Sequence, residues 1–137
     1  MPDDAARLED AQAWLAKAGL DLRAADLELR TPDLALWGDV TFHAQQAAEK
    51  ALKALLAWHD RPFRKTHSIE ELGRLGVTIA PELSSAVDAA VPLTAYAWKF
   101  RYPGDIGEPS MDEAERALQL ARSLVQAIER LLPARRA

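Results

Sequence analysis

Apolar residues recur at alternating spacings of three and four along three long segments, and this pattern most constrains the fold. Such spacing places them on one face of an α-helix. The first segment ends at Thr31-Pro32 and the second at Arg61-Pro62, because the residue before a proline is pushed out of the helical region. The three stripes are Ala11, Leu15, Ala18, Leu22, Ala25 and Leu29; Leu36, Val40, Ala44, Ala47, Ala51, Leu55 and Trp58; and Met111, Ala114, Leu118, Ala121, Val125, Ile128 and Leu132.

Between the second and third stripes the sequence predicts two further helices. Ser68 and Glu71 form a capping box that starts a short helix over residues 68–75, with Gly76 as its C-terminal glycine. Pro81 opens a fourth helix, which Pro92 should kink or split. Residues 93–101 are aromatic and could form a strand, but no second strand is available to pair with it, so we predict helix.

These elements predict an all-α fold, an antiparallel up-and-down bundle of four longer helices plus one short helix. Short connections make successive long helices pack antiparallel. A chain of 137 residues has room for one hydrophobic core, so residues 1–137 should form a single domain. Ser110 and Glu113 form a second capping box, which marks the start of the last helix.

Charge and cysteine content limit the possible functions. The chain has no cysteine, which excludes disulfides, thiol catalysis and thiolate metal sites and is compatible with a reducing cytoplasm. No apolar run approaches a membrane span, and the first ten residues lack the features of a signal peptide, so we expect a cytoplasmic protein. The net charge of −4 means that contact with RNA requires a local basic patch or a partner. We expect no cofactor and no metal.

The second helix carries a polar column beside its apolar face. His43, Gln46, Lys50 and Lys53 cluster there at helical spacing, and Gln45 and Glu49 are predicted on the opposite side. A histidine, an amide and two ammonium groups could bind a phosphate or the edge of a base. The alternative is an ordinary solvated helix face, with His43 making one hydrogen bond at the boundary of the core.

Residues 61–67 form the densest basic stretch. Arg61, Arg64 and Lys65 could contact phosphates, with Phe63 as a stacking surface and His67 beside them. The alternative is a solvated turn whose phenylalanine folds back onto the core.

Arg101 and Tyr102 end the fourth predicted helix. Arg101 could bind phosphate near His43 or His67, or it could interact only with the helix dipole. Tyr102 could simply form a hydrogen bond across the bundle.

The run FHAQQAAEKALKALL at residues 42–56 closely resembles the second helix of HEPN-domain proteins. THSIEEL at residues 66–72 and the later Tyr96 and Arg101-Tyr102-Pro103 are also similar to that family, and so is the first helix from Trp14 to Leu29. The resemblance covers roughly residues 8–132. It implies an antiparallel helical bundle, commonly dimeric and often encoded beside a small nucleotidyltransferase in a toxin–antitoxin pair.

Many members of the wider superfamily are metal-independent endoribonucleases, and the resemblance implies candidate catalytic residues. Their motif is an arginine and a histidine with four to six residues between them, near the start of a late helix. Arg61 and His67 match that spacing but precede the third helix, and the only histidines are His43, His59 and His67. The candidates are therefore His67, His43, Arg101 and Arg61, and the departure from the motif argues against catalysis of the usual kind.

Three functions remain open at this point. The first is a nucleotide- or RNA-binding domain paired with a nucleotidyltransferase, for which the ligand-binding candidates are His43, Gln46, Lys50, Lys53, Arg64, His67, Arg101 and Tyr102. The second is an endoribonuclease that uses an arginine–histidine pair. The third is a non-catalytic adaptor or dimerisation bundle, in which local partners occupy the same side chains. Four tryptophans in a small helical protein favour an exposed apolar patch and hence a homodimer.

Overall fold

The computed structural model describes residues 3–104 and 107–134, and it contains five α-helices. Within those ranges there is no strand, so the predicted all-α bundle is confirmed. None of the described helices combines the length and apolar character needed to cross a membrane. The helices are α1 (Asp4–Leu29), α2 (Trp37–Trp58), α3 (Ile69–Ile79), α4 (Ser84–Ala90) and α5 (Met111–Glu129).

Helices α1 and α2 form a closely packed antiparallel pair. Every seventh residue on the inner face of α1 is a fully buried alanine, namely Ala11, Ala18 and Ala25. Because small side chains allow two helix axes to approach closely, α2 meets this stripe with alanines of its own. Pairs of contacting side chains confirm the antiparallel direction: Trp14 with Lys53, Asp21 with Lys50, and Glu28 with His43.

Helix α5 packs against both and runs antiparallel to α1. Gln12 near the start of α1 donates to the carbonyl of Pro133 beyond the end of α5, and Arg122 pairs with Asp26 near the end of α1. With α1 on one side and α5 on another, α2 is the central helix of the bundle. Thirteen of its 22 residues are buried.

Helix α3 begins at the predicted cap but ends later than predicted. The Ser68 hydroxyl accepts from the Glu71 backbone N–H, as the capping box requires. The prediction that Gly76 terminates the helix is wrong, because α3 continues to Ile79. Gly76 is buried, and a Cβ there would lie 3.4 Å from both Leu52 and Leu55. The lack of a side chain at Gly76 therefore allows α3 to pack closely on α2.

The fourth predicted helix is split, as Pro92 indicates. A 3₁₀ turn at Pro81–Leu83 leads into α4, and a second 3₁₀ segment, Val91–Ala97, follows it. The missing N–H of Pro92 breaks the helical ladder after α4. The prediction that residues 93–101 are helical is wrong beyond Ala97, where the 3₁₀ segment ends. The chain turns at Trp98–Arg101 instead. Residues 105 and 106 of the predicted 103–109 loop lie outside the described residues.

Candidate functional site

The central helix keeps only one narrow side open. Between Val40 and Leu56 the residues of α2 that remain partly exposed are Phe42, His43, Gln46 and Lys50, which we name the α2 strip. Their spacing places them next to one another on a single side of the helix. The structure therefore brings three of the predicted site residues together, His43, Gln46 and Lys50.

On the α1 side of the strip, His43 and Lys50 each have a carboxylate partner. His43 Nδ1 lies 2.8 Å from Glu28 Oε1, and Lys50 Nζ lies 2.7 Å from Asp21 Oδ2. Burial raises the pKa of Glu28 above its ordinary value, and the hydrogen bond and charge of His43 only partly oppose that rise. These two contacts join α1 to α2.

On the other side, a buried carboxylate organises a polar network. Glu49 Oε1 accepts from Gln45 Nε2 at 3.0 Å and from His67 Nδ1 at 2.8 Å, while Oε2 accepts from Lys53 Nζ at 2.8 Å. The prediction that Glu49 lies opposite the polar column is wrong, since Glu49 bonds to Lys53 of that column. Gln45 and Glu49 are both buried, because between Val40 and Leu56 the neighbouring elements cover α2 everywhere except along the strip.

The burial of Lys53 has a local explanation. Its ammonium group lies 5.3 Å from the ring centroid of Trp14 and 5.9 Å from that of Phe63, so two aromatic rings and Glu49 surround it. Phe63 therefore folds back onto the core, as the alternative interpretation of residues 61–67 predicted. The ammonium of Lys53 is not open to an external phosphate.

Glu49 remains ionised in this environment. Burial alone would raise its pKa, but hydrogen bonds from Lys53, His67 and Gln45, with the charge of Lys53, outweigh burial and hold the pKa below its ordinary value. A buried carboxylate with three donors is a fixed anchor for the groups that donate to it.

His67 is the exposed member of this network. Its side chain is 64% exposed, whereas that of Glu49 is 4% exposed. Gln45 Nε2 also donates to the His67 backbone carbonyl at 3.2 Å, so the backbone of His67 is held to α2 as well as its ring. Because Nδ1 is taken by Glu49, Nε2 is the ring nitrogen that a ligand could reach.

Arg101 lies along the same side of α2. Its guanidinium carbon lies 3.6 Å from the ring centroid of Phe42, a close cation–π contact. Phe42 and Glu49 are seven residues apart on α2, which corresponds to about 10 Å along the axis. Arg101 and His67 are thus attached to one side of α2 at points two turns apart, with Gln46 between those points.

Other predicted residues lie apart from this arrangement. Arg64 pairs with Glu71 through its Nε at 2.8 Å, and both are exposed enough for solvent to weaken the bond. Arg61 is exposed at the far end of α2, where its backbone N–H donates to the carbonyl of Leu56. Tyr102 is 67% exposed. In the part of the chain that the structure describes, no group of three or more metal-ligating side chains is present.

Sequence reasoning missed Phe42, Gln45 and Glu49. Glu49 and Lys53 are four residues apart, a spacing typical of a helix ion pair, and that signal was available in the sequence. The burial of the pair could not be predicted from the sequence, because it depends on contacts with Trp14 and Phe63, which belong to two other segments of the chain.

Comparison with known proteins identifies the family. The family model of the HEPN domain matches residues 11–131. The chain belongs to the HEPN family. The crystal structure of ST0689, an archaeal HEPN homologue, superposes with a TM-score of 0.69 over 90% of this chain and 98% of that chain, at 22% identity. At that identity the likeness shows that the two chains share the HEPN fold. No curated protein sequence matches this HEPN chain at a significant level.

Proposed function

We propose that this HEPN domain binds a nucleotide or RNA along the outer side of α2. The observation that carries the proposal is the placement of Arg101 on Phe42 and of His67 on Glu49, about two helical turns apart. An arginine and a histidine that are both exposed and both anchored can contact successive polar groups of one ligand.

The chemistry of each group suits a phosphate ester. A guanidinium presents a planar set of donors that fits phosphate oxygens, and its contact with the Phe42 ring reduces the freedom lost on binding. The Nε2 of His67 can donate to a phosphate or accept from a ribose hydroxyl, depending on its protonation. The Gln46 side chain is partly exposed between the two anchor points, and its Nε2 donates to Gln45 Oε1 at 2.7 Å.

The other candidate cations should contribute less to binding. His43 and Lys50 already bond to Glu28 and Asp21, so a phosphate would have to compete with a carboxylate for each. Lys53 is buried against Glu49. With a net charge of −4 and both lysines of the predicted column paired with carboxylates, we expect an affinity in the micromolar range at moderate salt.

The family relationship supports further proposals about partners. We propose a homodimer, supported by Leu20 and Leu27, which are seven residues apart on α1 and both more than half exposed. A second copy could cover this apolar surface. We also propose that the protein works in the cytoplasm with a nucleotidyltransferase as a toxin–antitoxin-like pair. A monomer in sedimentation at high micromolar concentration would contradict the dimer.

A second candidate function is metal-independent cleavage of RNA, which one observation favours. The buried Glu49 carboxylate orients the exposed His67 ring through Nδ1, and this arrangement prepares Nε2 for general acid–base work. An arginine such as Arg101 or Arg61 would have to stabilise the charge on the phosphorane.

The test is calorimetric titration of the protein with ATP and with a short single-stranded RNA. Arg101→Ala and His67→Ala should each weaken binding roughly 10-fold, the usual loss for a hydrogen bond to a charged group. Arg74→Ala is the matched control, since Arg74 is an exposed arginine paired only with Glu70 on α3.

The same RNA samples are then run on a denaturing gel. Cleavage that His67→Ala abolishes would establish the nuclease. Binding that all three variants retain would place the site elsewhere on the molecule. An absence of both binding and cleavage would contradict the proposal and leave an adaptor bundle, for which the pairing of His43, Lys50, Lys53 and Arg64 with carboxylates is the supporting observation.

A further inference from the structure

The segment Trp98–Tyr102 alternates aromatic and basic residues, in the order Trp, Lys, Phe, Arg, Tyr. Trp98 is 54% exposed and Tyr102 is 67% exposed, and these are the two most exposed aromatic side chains among the described residues. Large aromatic rings are costly to leave in water, so two of them on either side of an exposed arginine need an explanation.

The local backbone determines which rings face outward. The Arg101 N–H donates to the Trp98 carbonyl at 3.3 Å, which closes a turn, and Phe100 takes a left-handed conformation with φ of +68°. That conformation costs a non-glycine residue roughly 1–2 kcal/mol. It turns the Phe100 ring onto Tyr96, with 6.1 Å between ring centroids, while the Tyr96 hydroxyl donates to Glu113.

The turn therefore separates its aromatic residues into two groups. Phe100 stacks on Tyr96 within the fold, whereas Trp98 and Tyr102 remain exposed. Residues at the two ends of a closed turn have Cα atoms within about 7 Å of each other, so Trp98 and Arg101 are near neighbours. The contact of Arg101 with Phe42 fixes the whole turn to α2.

The turn is also tied to the chain that carries His67. The backbone N–H of Ile69 donates to Thr94 Oγ1 at 3.1 Å, and Thr94 lies in the 3₁₀ segment that leads into the turn. The turn that carries Trp98, Arg101 and Tyr102 is therefore connected by direct contacts both to α2 and to the segment that follows His67.

We propose that the Trp98–Tyr102 turn stacks the unpaired bases of a single-stranded RNA whose phosphates lie at Arg101. This inference rests on the proposed function and specifies its ligand as a single strand. Aromatic rings interleaved with cations are the usual means of binding single strands without reading their sequence. Bases within a duplex are already stacked and offer no free face to Trp98 or Tyr102.

The experiment compares two oligomers that carry the same phosphates, octauridylate and an abasic ribose-phosphate octamer, by fluorescence anisotropy. The wild type should bind octauridylate at least roughly 10-fold more tightly than the abasic octamer, which is the contribution expected of one stacked base. Trp98→Ala should remove most of that preference and leave binding of the abasic octamer within about twofold. Trp98→Phe should restore part of the preference.

Leu34→Ala is the control, since Leu34 is a comparably exposed apolar residue in the connection between α1 and α2, and it should change neither affinity. Equal affinity for the two octamers, or a preference that survives in Trp98→Ala, would overturn base stacking while leaving phosphate binding intact. Failure of ATP and both octamers to bind would instead contradict the proposed function, and base stacking with it.

Discussion

Two histidine–glutamate pairs involve α2, one on the side that faces α1 and one on its other side, and the same hydrogen bond has different consequences in each. In both, Nδ1 lies 2.8 Å from Oε1 of the carboxylate. The side chains of His43 and Glu28 are 26% and 18% exposed, so both partners are partly covered. Those of His67 and Glu49 are 64% and 4% exposed, so a buried anchor holds an exposed ring.

The two carboxylates differ in how many donors surround them. Burial raises the pKa of Glu28, because His43 is the one group that bonds to it and Asp39 adds a like charge. Burial also acts on Glu49, but Lys53, His67 and Gln45 all donate to it and together lower its pKa. The number of hydrogen-bond donors, rather than the depth of burial, therefore decides whether the pKa of each carboxyl is raised or lowered.

The comparison indicates which histidine is suited to a ligand. His43 lies at the interface between α1 and α2, and its hydrogen bond with Glu28 holds the two helices together. His67 projects from a network whose other members are buried, so its ring can contact a ligand without disturbing the core.

The largest expected effect comes from removing the charge of each carboxylate in turn. Glu49→Gln should lower the free energy of unfolding by about 3 kcal/mol, because it leaves the buried Lys53 ammonium without its countercharge and places an amide among three donors. Glu28→Gln should cost less than about 1 kcal/mol, since its partner His43 is partly exposed and leaves no buried ammonium behind. Urea unfolding at neutral pH measures both.

The double variant Glu49→Gln, Lys53→Met provides the control. Removing both charges should recover much of the lost stability, because a methionine can occupy the space between Trp14 and Phe63 without a charge. Equal losses in Glu49→Gln and Glu28→Gln would show that the two pairs do not differ in the way proposed here.

Much of the fold could be predicted from the sequence because its determinants are local. The stripes of Ala11 to Leu29 and Met111 to Leu132 specify amphipathic helices, and Ser68 and Ser110 mark two helix starts that the structure confirms. The end of α3 was not predictable in this way. Gly76 is required by its close packing against Leu52 and Leu55 of α2, and it does not end the helix.

The candidate site was only partly predictable because its bonds cross between segments. Helical spacing correctly placed His43, Gln46 and Lys50 on one side of α2. It could not show that Asp21 and Glu28 of α1 bond to Lys50 and His43. Nor could it show that His67, 18 residues further along the chain, bonds to Glu49. The spacing of residues along the sequence predicts which side of a helix a side chain occupies, whereas its hydrogen-bond partner is determined by tertiary packing.

An intermediate effect is expected on the pH dependence of stability, with opposite signs for the two carboxylates. The lowered pKa of Glu49 stabilises the fold above the ordinary value of 4.5, and this contribution is lost as pH falls through the lowered pKa. The raised pKa of Glu28 means that the folded state binds its proton more tightly than the unfolded state does, so acidification favours folding at this group.

The measurement is urea unfolding from neutral pH into acid for the wild type, Glu49→Gln and Glu28→Gln. The stability advantage of the wild type over Glu49→Gln should shrink as the pH falls, whereas its advantage over Glu28→Gln should grow. If both advantages grow as the pH falls, burial dominates at both carboxylates, and if both shrink, the donors dominate at both; either result contradicts the opposite signs expected here.

The smallest expected effect is on the histidine tautomers, which report the two bonds directly without unfolding the protein. Each carboxylate accepts from Nδ1, so the neutral rings of His43 and His67 should both carry their proton there. Nitrogen chemical shifts recorded well above the ordinary histidine pKa of about 6.5 distinguish this tautomer from the other. Glu28→Gln should alter the shifts of His43 alone, and Glu49→Gln those of His67 alone. If His67 shows an even mixture of tautomers in the wild type, Glu49 does not orient its ring, and His67 loses the anchoring that distinguishes it from any other exposed histidine.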